Sequence, residues 1–150
     1  MNRTLPPAVA RTVHFFETLS PTDTARIAEV YTEDAFFKDP FNEVRGTEAI
    51  GRIFAHMFVQ VDTPRFVIRD VVCEGPAAFL TWDFSFGLRR PLPPGPCVIH
   101  GASHLRYAED GRIAHHRDYW DTSEEFYAKL PGLGVLMRFL QRRGAVTQRP

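Results

Sequence analysis

The segment His115-His116-Arg117-Asp118-Tyr119-Trp120-Asp121 holds the groups in this chain best suited to moving protons. It reads as a β-strand, yet charged and aromatic side chains alternate on both of its faces. A strand with one wet face alternates polar with apolar residues, and one buried on both faces is mostly aliphatic. Successive strand residues point to opposite sides, so His116, Asp118 and Trp120 share a face. If that face points inward, Asp118 lies in an aromatic cavity, where a carboxylate costs free energy unless it is paired or protonated. Such a residue offers proton transfer, and histidine is the side-chain type that exchanges protons near neutral pH.

Other chemistries find less support. Eighteen basic and eighteen acidic residues balance, so net charge draws the chain neither to nucleic acid nor to an anionic membrane. Cys73 and Cys97 have no metal-ligand spacing and form no secretory disulfide framework, which points to reduced thiols in a cytoplasmic protein. Met1 to Pro7 lacks the apolar core of a signal peptide, and no apolar run approaches a membrane span. The six histidines show no spacing that supports a metal. Ser85 and Ser103 stand in no nucleophile motif. No metal, other cofactor or covalent intermediate is therefore expected. Thirteen phenylalanines in 150 residues suit a core built around something wide and apolar, and the length suits one domain, residues 1–150.

The elements that must position these groups follow from spacing. Val9, Val13, Phe16 and Leu19, with Phe15 beside them, predict a helix from about Ala8 to Leu19. Ser20-Pro21-Thr22-Asp23 is a capped helix start, for a helix that would bury Ile27, Val30 and Tyr31. A third helix opens at Thr47 and carries Ile50, Ile53, Phe54, Met57 and Phe58 on one face. Between the last two helices, Ala35 to Phe41 reads as a short strand that ends at Pro40. Four long strands follow, roughly Arg65 to Glu74, Ala77 to Leu88, Cys97 to Ala108 and Arg112 to Asp121, with a proline-rich loop from Leu88 to Pro96. Asp110-Gly111 is a two-residue hairpin signal. With that turn Leu105 opposes His116, Ser103 opposes Asp118 and Gly101 opposes Trp120, while His104 opposes Arg117 and His100 opposes Asp121 on the other face. A one-residue slip inverts the faces. Residues 123–143 read as an apolar helical extension, able to cover the sheet or a cavity mouth.

Three helices, a strand ending in Asp-Pro and a curved antiparallel sheet resemble the nuclear-transport-factor-2-like cone. Residues 31 to 50 are similar to the ketosteroid-isomerase and SnoaL-like branches, where an acidic residue precedes the proline and a glycine precedes the next helix. The resemblance implies an α+β cone-shaped barrel with a pocket inside, and a fold that serves isomerases, hydrolases, cyclases and binders alike. Against ketosteroid isomerase, Asp39 falls on the general base, Phe15 on the oxyanion-hole tyrosine and Ser103 on the protonated aspartate. Ketosteroid isomerase is a standard worked example of an acid kept neutral by an apolar site, and here both donors are replaced. Arg117-Asp118-Tyr119-Trp120-Asp121 is similar to the last strand of limonene-epoxide hydrolase, where the first aspartate activates water. That family's tyrosine and asparagine fall on Phe37 and Asp39. Its arginine and second aspartate fall near Trp82 and Phe84, or near Asp83 and Ser85, so its relay is incomplete.

These resemblances put Asp39, Asp118 and His116 in one cavity as the catalytic groups. Ser103 and Trp120 stand beside them, and Phe15, Leu19, Phe54, Phe58, Trp82, Phe84 and Leu105 form the walls. Two carboxylates sharing a pocket do not ionise together easily, which leaves one as base and the other as acid. The plainer alternatives are a turn role for Asp39, which hydrogen-bonds nearby backbone, and a structural ion pair for Asp118. The expectation is a cofactor-independent acid–base enzyme, isomerase- or hydrolase-like, acting on a small hydrophobic polyketide-, terpenoid- or steroid-like molecule; the alternative is a non-catalytic binder of such a molecule. No nucleic-acid or membrane partner is expected. On the outer face, His100, Ala102, His104, Arg106, Arg117, Tyr119 and Asp121 mix aromatic with pairable charge, which suits a homodimer interface.

Overall fold

The computed structural model describes residues 4–90 and 92–145. Residues 1–3 of the N-terminal stretch read for a leader, Pro91 of the proline-rich loop, and residues 146–150 lie outside that range. The chain runs α1 (Pro7–Glu17), a 3₁₀ turn (Pro21–Arg26), α2 (Ile27–Val30), β1 (Tyr31–Lys38), β2 (Glu43–Arg45), α3 (Thr47–Gln60), β3 (Asp62–Glu74), β4 (Ala77–Leu88), β5 (Gly95–Tyr107) and β6 (Ile113–Tyr119). After these come α4 (Thr122–Glu125), a second 3₁₀ turn (Tyr127–Lys129) and α5 (Leu133–Gly144). The strands form one curved sheet in the order β2-β1-β6-β5-β4-β3, antiparallel except for β1 against β6. The architecture is α+β, with α1 and α3 packed on the inner face of the sheet. Among the described residues no helix is long and apolar enough to cross a membrane.

The helices form where apolar spacing demands burial. Pro7 suits the first turn of α1, which needs no backbone donor there, and Val9, Thr12 and Phe16 make its buried stripe. Tyr107 donates to Thr12 Oγ1 (3.0 Å) and Thr12 to the Ala8 carbonyl (3.0 Å), which pins α1 to β5. Burial pushes the Tyr107 phenol up to about 12. The predicted second helix is broken. Ser20 N–H and O–H both donate to Asp23 Oδ2 (3.0 and 2.6 Å), but the segment they cap is 3₁₀ and buries nothing. Tyr31 leaves the helix altogether: it opens β1 opposite Ile113, with its side chain fully buried. Packing of one large side chain outweighs the local helical pattern. The sequence reading also missed β2, which pairs with the end of β1.

The β5–β6 hairpin reaches the expected register by an unexpected route. Its tip is a three-residue loop: Gly111 N–H donates to Ala108 O (2.9 Å), Ala108 N–H to Arg112 O (2.8 Å), and Gly111 has φ +81°. That is the turn-plus-left-handed-residue loop common in such hairpins, and glycine carries the positive φ without strain. Next, Tyr107 pairs with Ile113 and Arg106 with His115, so Ala114 is an extra, bulged residue. Loop and bulge cancel, and Ser103 opposes Asp118, Leu105 opposes His116 and His104 opposes Arg117. The pairing ends at Ala102–Tyr119, so His100 does not meet Asp121. Asp121 instead caps α4 by accepting from Ser123 N–H (2.8 Å), and His100 Nδ1 lies 2.5 Å from Asp83 Oδ1.

Beyond Ala102 the β6 side of β5 has no strand partner, and an open edge invites foreign pairing. Side chains close it. Lys129 Nζ donates to Val98 O (2.6 Å) and Glu125 Oε2 accepts from His100 N–H (3.2 Å). Pro96 has no donor to offer.

A row of rings crosses the outer face: Phe79 on His104 (4.9 Å between centroids), His104 on His115 (5.6 Å) and His115 on Phe36 (5.0 Å). Burial first, then neighbouring Arg106, lowers the His104 pKa; burial, His104, Arg106, His116 and Arg117 lower that of His115. The folded protein therefore binds fewer protons at these sites than the unfolded chain. Their contribution is present above the unfolded histidine value of about 6.5 and is lost as pH falls through the lower folded values. Tm measured from pH 8 to 5 should fall more steeply for the parent than for a His104→Gln/His115→Gln variant. Equal slopes would remove this assignment.

Candidate active site

Five side chains form a continuous hydrogen-bonded chain inside the sheet. Trp82 Nε1 lies 2.8 Å from Ser103 Oγ, Ser103 Oγ 2.5 Å from Asp118 Oδ1, Asp118 Oδ1 2.6 Å from His116 Nε2, and His116 Nδ1 2.7 Å from Tyr31 Oη. Strand register puts them there: Trp82 from β4, Ser103 from β5, His116 and Asp118 two residues apart on β6, and Tyr31 from β1.

The donors and acceptors can be assigned from chemistry alone. Indole N–H only donates, so Ser103 accepts it and gives its own proton to Asp118. Tyr31 is held protonated: burial first, then the Asp118 charge and Tyr107, raise its pKa well above the usual value. Donation from its hydroxyl to His116 Nδ1 is the assignment that gives this buried phenol proton an acceptor, and it leaves the imidazole proton on Nε2, facing Asp118. Two donor chains thus end on the same oxygen, Oδ1, which cannot carry a proton of its own. Among the described residues no donor reaches Oδ2, and that oxygen is the one able to take a proton. The carboxylate is 18% exposed and the imidazole 3%. Phe37 (4.8 Å) and Phe16 (5.7 Å) stand edge-on to the imidazole, and the Tyr31 ring stacks on it.

Asp118 lines two spaces. On the inner side, Phe16, Phe54, Phe66 and Trp82 enclose a cavity of about 20 Å³ that also touches Ser103 and His116. That is room for about one water molecule, with the two to four polar partners a buried water needs. On the outer side is an open groove of about 520 Å³ lined by Lys38, Arg117, Tyr119, Trp120 and Asp121. The inner space is thus far smaller than the expected wide pocket, because aromatic side chains fill it. The groove is open to solvent rather than enclosed.

The structure sorts the expected residues. His116, Asp118, Ser103, Trp82 and Phe54 line one cavity. Asp39 does not join them. Its Oδ1 accepts from Phe41 N–H (2.7 Å) and Asn42 N–H (2.6 Å), and both oxygens accept from Asn42 Nδ2, which makes it the anchor of the β1–β2 turn. On α1 it is Phe16, not Phe15, that lines the cavity; Phe15 packs edge-on against it. Leu19 and Phe84 support the core from outside the cavity, Leu105 is fully buried beneath it, and Phe58 is half-buried on the rim of α3. Trp120 leans on Phe41 in the groove (5.5 Å). Tyr31 was missed because its spacing read as helical. Phe66, Ile68 and Leu80 were missed as lining, although strand alternation from Trp82 signals Leu80. Asp83 lies outside, held below the usual carboxylate range by His100 and Arg69.

Known proteins agree with this architecture. The SnoaL-like domain model matches residues 12–116. No curated protein matches the sequence. A protein of ketosteroid-isomerase-like fold from Catenulispora acidiphila DSM 44928, solved with trimethylamine, has TM-score 0.70 and 18% identity over 85% of this chain and 94% of its own. An epoxide hydrolase from M. tuberculosis similar to limonene-epoxide hydrolase has TM-score 0.63 and 20% identity over 87% and 92%. A protein described as a SnoaL-like polyketide cyclase, from Shewanella putrefaciens CN-32, has TM-score 0.68 and 17% identity over 81% of this chain and 97% of its own. Likeness at these identities is one of fold. With more than half its length matched by the model, the chain belongs to the SnoaL-like domain family.

Proposed function

We propose that this protein is a cofactor-free acid–base enzyme in which Asp118 Oδ2 is the base, acting on a small, largely apolar molecule that enters by the groove. The convergence of both donor chains on Asp118 Oδ1 carries this reading, because it leaves one carboxylate oxygen oriented and unengaged. His116 and Ser103 hold that carboxylate and stabilise its charge, and Tyr31 fixes the imidazole tautomer. A hydrolase-like reaction fits better than an isomerase-like one. Tyr31 and Trp82 spend their protons inside the chain, so neither of these two buried donors is left to hold an enolate oxygen, and losing such a donor costs roughly 10²–10³ in rate. The inner cavity, by contrast, suits a water beside Asp118.

The polyketide and epoxide chemistries of the fold neighbours define the first substrates to try: limonene-1,2-epoxide, a 5-ene-3-ketosteroid and an aromatic polyketide ester, each incubated in H₂¹⁸O. A product carrying ¹⁸O supports the hydrolase reading, and a product of unchanged mass supports the isomerase or cyclase reading. Ligands that bind yet all return unaltered would make this a binding protein and end the enzyme reading. A homodimer through the outer sheet face, where the ring row ends at the half-exposed Phe79, belongs to the same proposal.

A further inference from the structure

Helix α5 is turned the wrong way for the surface of a monomer. Gly134 is buried, and a Cβ there would lie 2.5 Å from the Ala128 carbonyl oxygen, to which Arg138 donates (2.8 Å). That side faces the protein. With 3.6 residues per turn, Val135, Leu136, Phe139 and Leu140 fall on the opposite arc, and they are 50–64% exposed. Surface helices normally turn the apolar stripe inward, and a contiguous exposed one marks an interaction site. Arg142 borders this arc, and Arg143 lies on it at the C-terminal end, stacked over Phe139 (5.2 Å). Charge is divided in the same sense. Residues up to Glu125 carry 18 acidic and 13 basic side chains, and the 25 that follow carry five basic and none acidic.

A complementary patch lies on the outer face of β3 and β4. Val72 and Phe79 oppose each other in the ladder and are 68% and 46% exposed. Asp70 and Glu74 flank Val72 on the same face of β3. Both are exposed, and among the described residues neither has a cationic partner. The apolar centre is bordered by carboxylates along β3 and by Arg106 on the β5 side, so it is the β3 edge that matches an apolar helix bordered by guanidinium groups. In one chain the two remain apart, since both are exposed and α4 and Lys129 fasten the C-terminal segment at Val98 and His100.

We propose that α5 is a dimer arm: the Leu136–Phe139–Leu140 face of one copy docks on the Val72–Phe79 patch of a second copy, and reciprocally. Two different patches each used twice satisfy a closed two-fold assembly. The occupant is a second copy because the exposed apolar face with its arginines and the apolar patch with its β3 carboxylates are both carried by this one chain. The inference rests on the outer-face dimer proposed above and deepens it by naming the element that specifies it.

The test is light scattering of the full chain at about 10 µM in low and high salt, with circular dichroism to confirm folding. The parent should be dimeric, and Leu136→Asp/Phe139→Asp and, separately, Val72→Asp should each weaken the dimer at least about tenfold. Arg142→Glu/Arg143→Glu should weaken it too, and adding Asp70→Arg/Glu74→Arg to the same chain should restore it. Rescue by charge reversal is a result that loss of folding cannot imitate. A parent dimer indifferent to the α5 and Val72 changes overturns the arm and leaves the outer-face dimer standing, whereas a monomeric parent overturns both. A monomer that sediments with phosphatidylglycerol vesicles, and ceases to after Leu136→Asp/Phe139→Asp, assigns the helix to a lipid surface and overturns the arm.

Discussion

Asp118→Asn should lower kcat/KM by about 10³-fold, within the 10²–10⁴ range attributed to a positioned base, while the protein stays folded. The change is nearly isosteric. The asparagine oxygen can still accept from Ser103 and from His116 Nε2, so the chain from Trp82 to Tyr31 persists. What is lost is the second oxygen, replaced by an amide that cannot accept a proton. Weakening two charge-assisted hydrogen bonds should cost on the order of 1–3 kcal/mol. Tyr31→Phe is the matched control. It keeps the carboxylate but leaves His116 Nδ1 buried without a donor, at about 1–3 kcal/mol, and it frees the imidazole to change tautomer. Turnover should fall less than in Asp118→Asn, and the pH profile should move. Steady-state rates on whichever substrate the ¹⁸O experiment identifies decide the matter. Asp118→Asn with parental kcat/KM would sink the base assignment.

Gly101→Ala should give the largest loss of stability from a single methyl group. Gly101 faces Trp82 across the β4–β5 ladder, and the indole lies over it: a Cβ there would be 2.3 Å from Trp82 Cη2 and 2.6 Å from Cζ2. Trp82 is buried among Phe66, Leu80 and Ser103 and has no clear direction of retreat. Overpacking of this kind costs about 1–3 kcal/mol, a Tm drop of roughly 3–10 °C for a chain of this size. Displacing the indole also detaches Nε1 from Ser103, so activity should fall alongside. Trp82→Phe in the same chain should recover much of the stability but not the Ser103 contact. A Gly101→Ala protein with parental Tm would mean that the sheet yields at this point.

The parts of this protein legible in the sequence were those set by local periodicity. The buried stripes of α1 and α3 followed from apolar spacing, and the pairing of Ser103 with Asp118 from a glycine-bearing turn between alternating strands. Properties decided at a distance were hidden. Tyr31 has a helical neighbourhood, and only its pairing with Ile113 makes it strand. Phe15 and Phe16 are adjacent in the stripe, and the angle at which α1 crosses the sheet chooses between them. Asp39 before Pro40 fits a base and a turn equally well until Asn42 is seen donating to both of its oxygens. The cavity volume depends on how Phe16, Phe54, Phe66 and Trp82 settle together, which no spacing encodes.

The hairpin tip has one further consequence. A two-residue turn without a bulge and the observed three-residue loop with Ala114 bulged converge on the same pairing from Arg106–His115 onward. The tip therefore stores slack that never reaches the inner face. Deleting Ala114 removes the extra residue between Ile113 and His115 and leaves Asp118 pointing where it points now. Within the β5–β6 ladder, loop and bulge together leave the phase of the carboxylate unchanged, while the tip itself is tied down, Arg11 donating to the Gly111 carbonyl and Arg112 to the Ala28 carbonyl (3.2 Å each).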